Sequence, residues 1–496
     1  MPALVGAVLV LVATRRDPFL SSDSITYLSA ADHVRDGEGL TDFALKPVTI
    51  FAPVFPLLLA PGGRSLVWAS IVGAISVAVA AALMWLLLRE RVRPLAALAG
   101  ATAFGASQGM VRMGSVVWSE APYAAISMAT LLVLTRRAPT RRLAAIAGLF
   151  AGVGFLTRYA GIGLIATGAV VVALASWRSQ DRDRVEVMKC SAAYLMASLC
   201  VGGVWIVRNL AETGEPLGPR FEGGASEHVT RTIRLALIGT AHIVVGDGWS
   251  ATARARIGAA IIVALCTVAF LSVRSARFVV IDVAVAVFGA TSFVVPIVAR
   301  QISANDIELR VMSPMLIPVV YFTAVVFDRW CTVRVAAMAG SLLLGVWLYH
   351  GVAFAARFPD RASDSSGYEP QFAPQLYEAI DTLPTDATIL TNSPQRVWWF
   401  TDREPTLLAF TRPRAGNSHY PLDVHHTLAL ACNGHAYLAW FDGLANAGEG
   451  PAERRPDLVQ LVDLQLERSV PGGELYLLRP VDANSCTTAL ATNGRS

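Results

Sequence analysis

Two short stretches place a carboxylate where its presence needs a reason. Asp23-Ser24-Ile25-Thr26-Tyr27-Leu28 lies in a polar segment after the first apolar run, and Trp118-Ser119-Glu120 stands between two long apolar segments. Both acids are expected at the outer mouth of a bundle of membrane helices, where an ionised carboxylate costs free energy unless it pairs, binds a metal or does chemistry. For Asp23 two readings stand. It is either a base that takes a proton or the N-cap of the helix that Ser21-Ser22-Asp23-Ser24 would start. Glu120 is either a ligand to metal or substrate, or a strut paired with Arg112 or Arg158.

The elements that would position these acids are read from composition. The chain has 496 residues, 54% hydrophobic and 16% charged, with mean hydropathy +0.50, and its apolar residues fall in long blocks. Such blocks mark a polytopic membrane protein. A net charge of +4, with no basic block carrying interleaved aromatics, gives nucleic-acid binding no support. Apolar segments run at about 65–88, 94–111, 119–135, 143–157, 159–177, 190–207, 255–273, 278–298, 311–327 and 335–355. With the short run from Pro2 to Ala13 they predict about eleven spans. That first run is shorter than a bilayer and is stopped by Arg15 and Arg16, so its helix is expected to begin earlier or to be extended by arginine snorkelling. It lacks the basic lead of a signal peptide.

Arginine density orients the bundle. The connections at 89–93, 136–142, 178–189, 274–277 and 328–334 are short and arginine-rich, which predicts that these five face the cytoplasm. The N-terminus is then inside, and the outer face receives a first loop at about 14–64, loops at 208–254 and 299–310, and the tail from about 356. Within the first loop, Asp23 to Asp36 reads as an amphipathic helix, with Ile25, Leu28 and Ala31 on one side and Asp32, His33, Arg35 and Asp36 on the other, ended by Gly37 and Gly39. Ala52 to Leu58 reads as a second helix start, on the membrane surface.

The division expected is therefore a membrane domain at 1–355 and an extracytoplasmic domain at 356–496, with Asp360 to Gly367 as linker. About 140 residues suffice for a small α/β domain with its own core. Pro374 to Leu383 reads as helix, Ala387 to Thr391 as strand and Arg396 to Phe400 as either. Ala436 to Phe441, Leu458 to Leu466 and Glu474 to Leu478 read as strands or a strand–helix mixture. Cys432 and Cys486 in this tail are candidates for a disulfide if the compartment oxidises, whereas Cys190, Cys200, Cys266 and Cys331 read as small buried hydrophobes. Asp282 reads as structural and Asp247 as a turn residue, the unevenly spaced His419, His425, His426 and His435 do not suggest a metal site, and Trp398-Trp399 reads as core, as a membrane-interface pair or as a platform for a sugar ring.

An ordered set of motifs resembles the C-type (GT-C) membrane glycosyltransferases that use polyprenyl-phosphate sugars. Within them it is similar to the bacterial branch of protein mannosyltransferases and lipid A aminoarabinose transferases. The set comprises Asp23 to Leu28 followed by Gly37 and Gly39; Pro53-Val54-Phe55-Pro56; Trp118-Ser119-Glu120; Gly154 to Tyr159; Trp205 to Asn209 with Thr213-Gly214-Glu215-Pro216; and Glu308-Leu309-Arg310 before Pro314. Val311 stands where the family usually has tyrosine after the arginine, and the first helix is short. The resemblance implies a hydrophobic helical fold with its active site on the extracytoplasmic side, an acid in the first loop near the reaction centre, and a lipid-phosphate donor.

Such a reaction breaks a sugar–phosphate bond through an oxocarbenium-like transition state while an acceptor hydroxyl attacks from the opposite face. Asp23 would take the acceptor's proton. The departing phosphate needs positive charge, from guanidinium forks or a divalent cation such as magnesium or manganese. Arg158, Arg208 and Arg310, where predicted helices meet the outer face, would supply it with Lys46 of the first loop, and Arg112 is a fourth candidate arginine. Tyr27, Tyr159 and Asn209 would line the substrate, and Glu120 would be the metal ligand if a metal is used. Expected partners are the polyprenyl-phosphate sugar, the bilayer and an envelope glycan, lipid or protein acceptor, at the plasma (inner) membrane. A flippase of lipid-linked saccharide is the alternative, but no inverted repeat or deep helix charge supports it. A non-catalytic scaffold would leave the acidic first loop unexplained.

Overall fold

The structure, a computed structural model, describes residues 1–135, 140–178, 184–219, 229–246, 248–274, 280–302, 307, 309–330, 334–365, 372–401, 403–408, 424–442, 451, 456–481 and 486. The chain packs as two compact units. One comprises Met1–Phe19 with Val48–Asp364, the other Leu20–Pro47 with Ser365–Ser496. Sequence order had placed 14–64 with the membrane domain and opened the tail at 356, whereas residues 20–47 pack with the tail.

The first unit is helical. It contains α1 (Pro2–Ala13); α2 (Ser22–Asp36) belongs to the second unit. The bundle then continues with α3 (Val54–Leu59), α4 (Leu66–Arg89), α5 (Pro94–Ala106), α6 (Gln108–Ser115), α7 (Glu120–Thr135), α8 (Arg141–Thr157), α9 (Ile162–Arg178) and α10 (Arg184–Thr213). It closes with α11 (Val229–Val245), α12 (Ala251–Arg274), α13 (Val280–Ile302), α14 (Leu316–Trp330) and α15 (Arg334–Ser365).

Among the described residues, four helices are long and apolar enough to cross a membrane: Leu66–Arg89, Arg184–Thr213, Ala251–Leu271 and Val280–Gln301. Pro2–Ala13, Pro94–Ala106, Glu120–Thr135 and Tyr159–Leu174 are apolar and shorter. At about 1.5 Å per residue, a helix as short as α1 falls well below a hydrocarbon core of about 30 Å.

Two expectations are corrected by the helix boundaries. The block at 94–111 is two helices, because the Ser107 hydroxyl accepts from Met110 N at 3.2 Å and so caps a new helix. The segment 208–254, expected as a loop, contains α11, whose Arg231, Arg234 and His242 lower its hydropathy while Thr232, Ala236, Gly239 and Ile243 are buried. Cys190 is buried as expected, but Cys200 and Cys266 are exposed on α10 and α12, since an apolar face turned away from the bundle needs no protein partner. Cys331 lies outside the described residues.

The bundle is tied at one set of helix ends by Asp282, which is 1% exposed. Arg91 Nε donates to both its oxygens at 3.0 and 3.1 Å, and the Tyr321 hydroxyl donates to Oδ1 at 2.7 Å. A charge buried this deeply is tolerated because it is paired and hydrogen-bonded. This is the structural role expected of Asp282.

The second unit is built on a five-stranded sheet of order β2-β1-β3-β5-β4. Its elements after α2 are α16 (Pro374–Asp381), β1 (Thr388–Thr391), α17 (Pro394–Phe400), β2 (Pro405–Leu407), α18 (Val424–Cys432), β3 (Ala436–Phe441), α19 (Pro456–Leu461), β4 (Val462–Val470) and β5 (Gly473–Pro480). Strand β1 runs parallel to β2 and β3, and β5 pairs antiparallel with β3 and β4. Strand alternation divides the core. Ile389, Ala439 and Phe441 pack with α16 and Val397 of α17, while Leu390, Leu438 and Trp440 pack with α18. Cys432 and Cys486 form a disulfide. Of the tail histidines, His435 pairs with Asp386 at 2.5 Å, and the side chains of His419, His425 and His426 lie outside the described residues, as does Asp247.

Candidate active site

In the first unit, Arg158 follows α8 in extended conformation, and its guanidinium forms an ion pair with Glu120, the first residue of α7. Glu120 is 3% exposed and Arg158 16%. Two residues before Glu120, the Trp118 ring carries the Arg310 guanidinium at 5.4 Å, a cation–π distance. The three-residue segment 118–120 therefore holds Arg310 at one end and Arg158 at the other.

Next to Arg158, Tyr159 is fully committed. A phenol has one proton to donate and two lone pairs. The Tyr159 hydroxyl donates to the Thr49 carbonyl at 2.5 Å and accepts from Trp205 Nε1 at 2.9 Å and from Asn209 Nδ2 at 3.0 Å. Asn209, wholly buried, also donates to the Pro216 carbonyl at 3.2 Å. Arg208 lies over the Trp205 ring at 4.3 Å and donates to the Val48 carbonyl at 2.9 Å. Contact by contact and neighbour by neighbour, Arg310, Trp118, Glu120, Arg158, Tyr159, Asn209 and Arg208 form one chain. The polar atoms of Tyr159 and Asn209, expected to line substrate, bond to the returning segment of the first loop and to Pro216.

Thr49 and Gly218 were not singled out by sequence. Gly218 has φ +74°, and a Cβ there would lie 2.7 Å from Thr49 C, so only glycine lets the Glu215–Gly218 turn close on the segment at Thr49. The Pro216 and Gly218 spacing carries that turn signal. Thr49 has none, because its role rests on its carbonyl. The other end of the loop is held too: Phe19 N donates to the Ser115 carbonyl at 3.0 Å, and Val117 N to the Phe19 carbonyl at 3.3 Å.

In the second unit, Asp23 occupies the second position of α2. The N-cap is Ser21, whose side chain accepts from Ser24 N at 3.3 Å while Ser24 Oγ accepts from Ser21 N at 3.0 Å. Asp23 is therefore not the cap. The amphipathic reading of this helix is corrected: residues 24–33 are all buried, Asp32 and His33 included. Asp32 pairs with Arg35 at 2.8 Å, and His33 Nδ1 lies 3.0 Å from the Thr41 hydroxyl. Tyr27 is buried within α2, and Lys46 is exposed, with its backbone N–H on Asp42 Oδ1 at 3.1 Å. Burial pushes the Asp42 carboxyl above the usual aspartate value, against the pull of two backbone donors. Arg112 lies in the last turn of α6, and Glu308 falls outside the described residues.

No group of three or more His, Cys, Asp or Glu that could hold a metal ion is gathered among the described residues. Glu120, the one proposed ligand, is engaged by a fixed cation. A divalent ion favours several oxygen ligands, and among the described residues Glu120 belongs to no group of three that could supply them.

The sequence matches the family model of dolichyl-phosphate-mannose-protein mannosyltransferases over residues 51–205. A search of curated proteins finds no match. Among solved structures, ArnT from Cupriavidus metallidurans bound to undecaprenyl phosphate superposes over 96% of this chain and 97% of its own, with TM-score 0.62 at 13% identity. The chain has the GT-C fold. The same ArnT in the apo state gives TM-score 0.63 at 13% identity over 96% of each chain. The Archaeoglobus fulgidus oligosaccharyltransferase in complex with Zn and sulfate gives 0.56 at 10% identity, over 97% of this chain and 74% of its own. The GT-C resemblance rests on the family model over 51–205 and on this fold.

Proposed function

We propose that the chain is an integral-membrane glycosyltransferase that moves one sugar from a polyprenyl-phosphate donor to an extracytoplasmic glycan, lipid or protein of the cell envelope. The observation that carries this reading is the GT-C fold over nearly the whole chain, shared with an ArnT bound to undecaprenyl phosphate. The linked arginines support it, because a polyprenyl phosphate must be met by fixed positive charge. The Cys432–Cys486 disulfide supports an oxidising compartment for the tail, outside the plasma (inner) membrane.

In the proposed reaction the anomeric carbon–oxygen bond to phosphate breaks, and its electron pair leaves with the phosphate. The acceptor oxygen bonds to the anomeric carbon from the opposite face, with inversion, and its proton passes to the Asp23 carboxylate. Arg158, Arg208 and Arg310 are assigned to the phosphate with Lys46. Glu120 fixes Arg158 in place, while Tyr159 and Asn209 position the end of the first loop by holding its returning segment at Thr49.

The test is sugar transfer in membranes expressing the chain, with a mixture of labelled polyprenyl-phosphate sugars and with Asp23→Asn and Glu120→Gln at equal expression. Label in a new product with wild type and none with Asp23→Asn is the expected result. Full transfer by Asp23→Asn removes the base from the reading. No transfer from any donor, with labelled lipid changing leaflet instead, would replace the transferase by a flippase.

A further inference from the structure

The helix that carries Asp23 is held by the C-terminal sheet unit. Within that unit α2 packs on α17. At this contact the His33 ring meets Trp398 edge-on, with centroids 6.3 Å apart and planes at 84°. Trp398 is 2% exposed and His33 6%, so neither ring is available to stack on a sugar.

Both partners are braced. His33 Nδ1 lies against the Thr41 hydroxyl at 3.0 Å and carbonyl at 3.2 Å, which folds the segment after α2 back along the helix. Helix α17 leaves β1 through Asn392, whose Nδ2 donates to the Phe441 carbonyl at 3.0 Å and whose Oδ1 accepts from Phe441 N at 2.9 Å. An amide that satisfies both backbone groups of a neighbouring strand locks the start of the crossover to the sheet. Rigid support thus runs from β3 through Asn392 and α17 to Trp398, then through His33 to the helix bearing the carboxylate.

We propose that the C-terminal domain is a positioning scaffold for Asp23, with Trp398 and His33 as the positioning residues through which it acts. The inference rests on the reading of Asp23 as the base. It gives the tail a part in transfer that requires no contact with donor or acceptor. A base displaced by about 1 Å loses about a hundredfold in rate, whereas donor affinity, for which three of the four assigned cations (Arg158, Arg208 and Arg310) belong to the first unit, changes far less.

The experiment uses the full chain in lipid nanodiscs and compares wild type, Trp398→Ala, Trp398→Phe and His33→Ala by amide hydrogen exchange and by transfer kinetics. In Trp398→Ala, exchange is expected to rise in residues 24–33 and to stay unchanged in α4 and α7, with kcat about a hundredfold lower and donor KM changed by far less. Trp398→Phe keeps a ring and is expected to recover most of both. His33→Ala removes the facing ring together with its hydrogen bond to Thr41 and carries the same expectation if Trp398→Ala does not accumulate. Unchanged exchange in α2 overturns the scaffold, and so does full transfer from a chain whose α2 exchanges freely. Full transfer by Asp23→Asn would instead overturn the base assignment, and the exchange data would still decide whether α2 is held from α17.

Discussion

Tyr159 has no hydrogen-bonding capacity left for a ligand, which makes it the clearest case of a residue whose type was legible and whose task was not. Its place in the Gly154 to Tyr159 motif singled it out, but the partners that consume its hydroxyl come from residue 49 and from α10. Replacing it with phenylalanine leaves the Trp205 and Asn209 donors short of an acceptor, at about 1–3 kcal/mol for each orphaned group. The thermal midpoint of purified Tyr159→Phe should fall accordingly, and adding Trp205→Phe should cost less than the sum of the two single changes. A substrate-binding tyrosine would instead raise KM at unchanged stability. Asp42 supplies a pH test. Its folded carboxyl is raised by burial, so the folded state holds a proton that the unfolded chain has already lost. Stability therefore falls as pH climbs from the ordinary aspartate value to the raised one. Asp42→Asn keeps an oxygen for the backbone N–H groups of Ala44 and Lys46, and melting curves taken across that range should show it losing this slope.

Elements were more legible than contacts. Blocks of apolar residues marked α4, α7, α8, α12 and α13 to within a few residues, because a lipid-facing helix announces itself in hydropathy alone. The break at Ser107 was hidden, since a cap is a hydrogen bond and changes hydropathy little. In the tail, β2 and α18 escaped notice while β1, β3 and β5 were read from alternation; three residues are too few to show a period. Helix α10 contains a paired test of close packing. Its Tyr194 carbonyl would lie 2.2 Å from a Cβ on Gly148 of α8, so Gly148→Ala must push the helices apart at about 1–3 kcal/mol. On α10 itself Gly203 has nothing within 4 Å of its Cβ position, and Gly203→Ala should hold or raise stability by up to about 1 kcal/mol. Unfolding of both variants in the same detergent checks the contrast.

At the scale of the molecule, the chain interleaves its units: residues 20–47 leave the bundle sequence to pack with 365–496. Phe19 is tied to Ser115 and Val117 before that excursion, and Val48 and Thr49 are tied to Arg208, Asn209 and Tyr159 after it. The disulfide makes the compartment testable. Cys432→Ser frees the Cys486 thiol, and a membrane-impermeant maleimide should label it on intact cells. Labelling only after permeabilisation would place the tail inside.

Local chemistry made part of this protein legible from residue order alone. Apolar runs long enough for helices, arginine-rich connections, the glycine that ends α2 and the ordered motifs around Asp23, Glu120, Arg158 and Arg208 are all local, and together they specify a helical membrane fold with a resemblance to the GT-C enzymes. Which partner each polar group takes was settled only by tertiary packing. Glu120 meets Arg158 across 38 positions, Tyr159 reaches Thr49 across 110, and α2 joins a sheet that begins 352 residues after Asp36. Such pairings depend on which helices and strands pack side by side, and no residue's type or spacing encodes that choice alone.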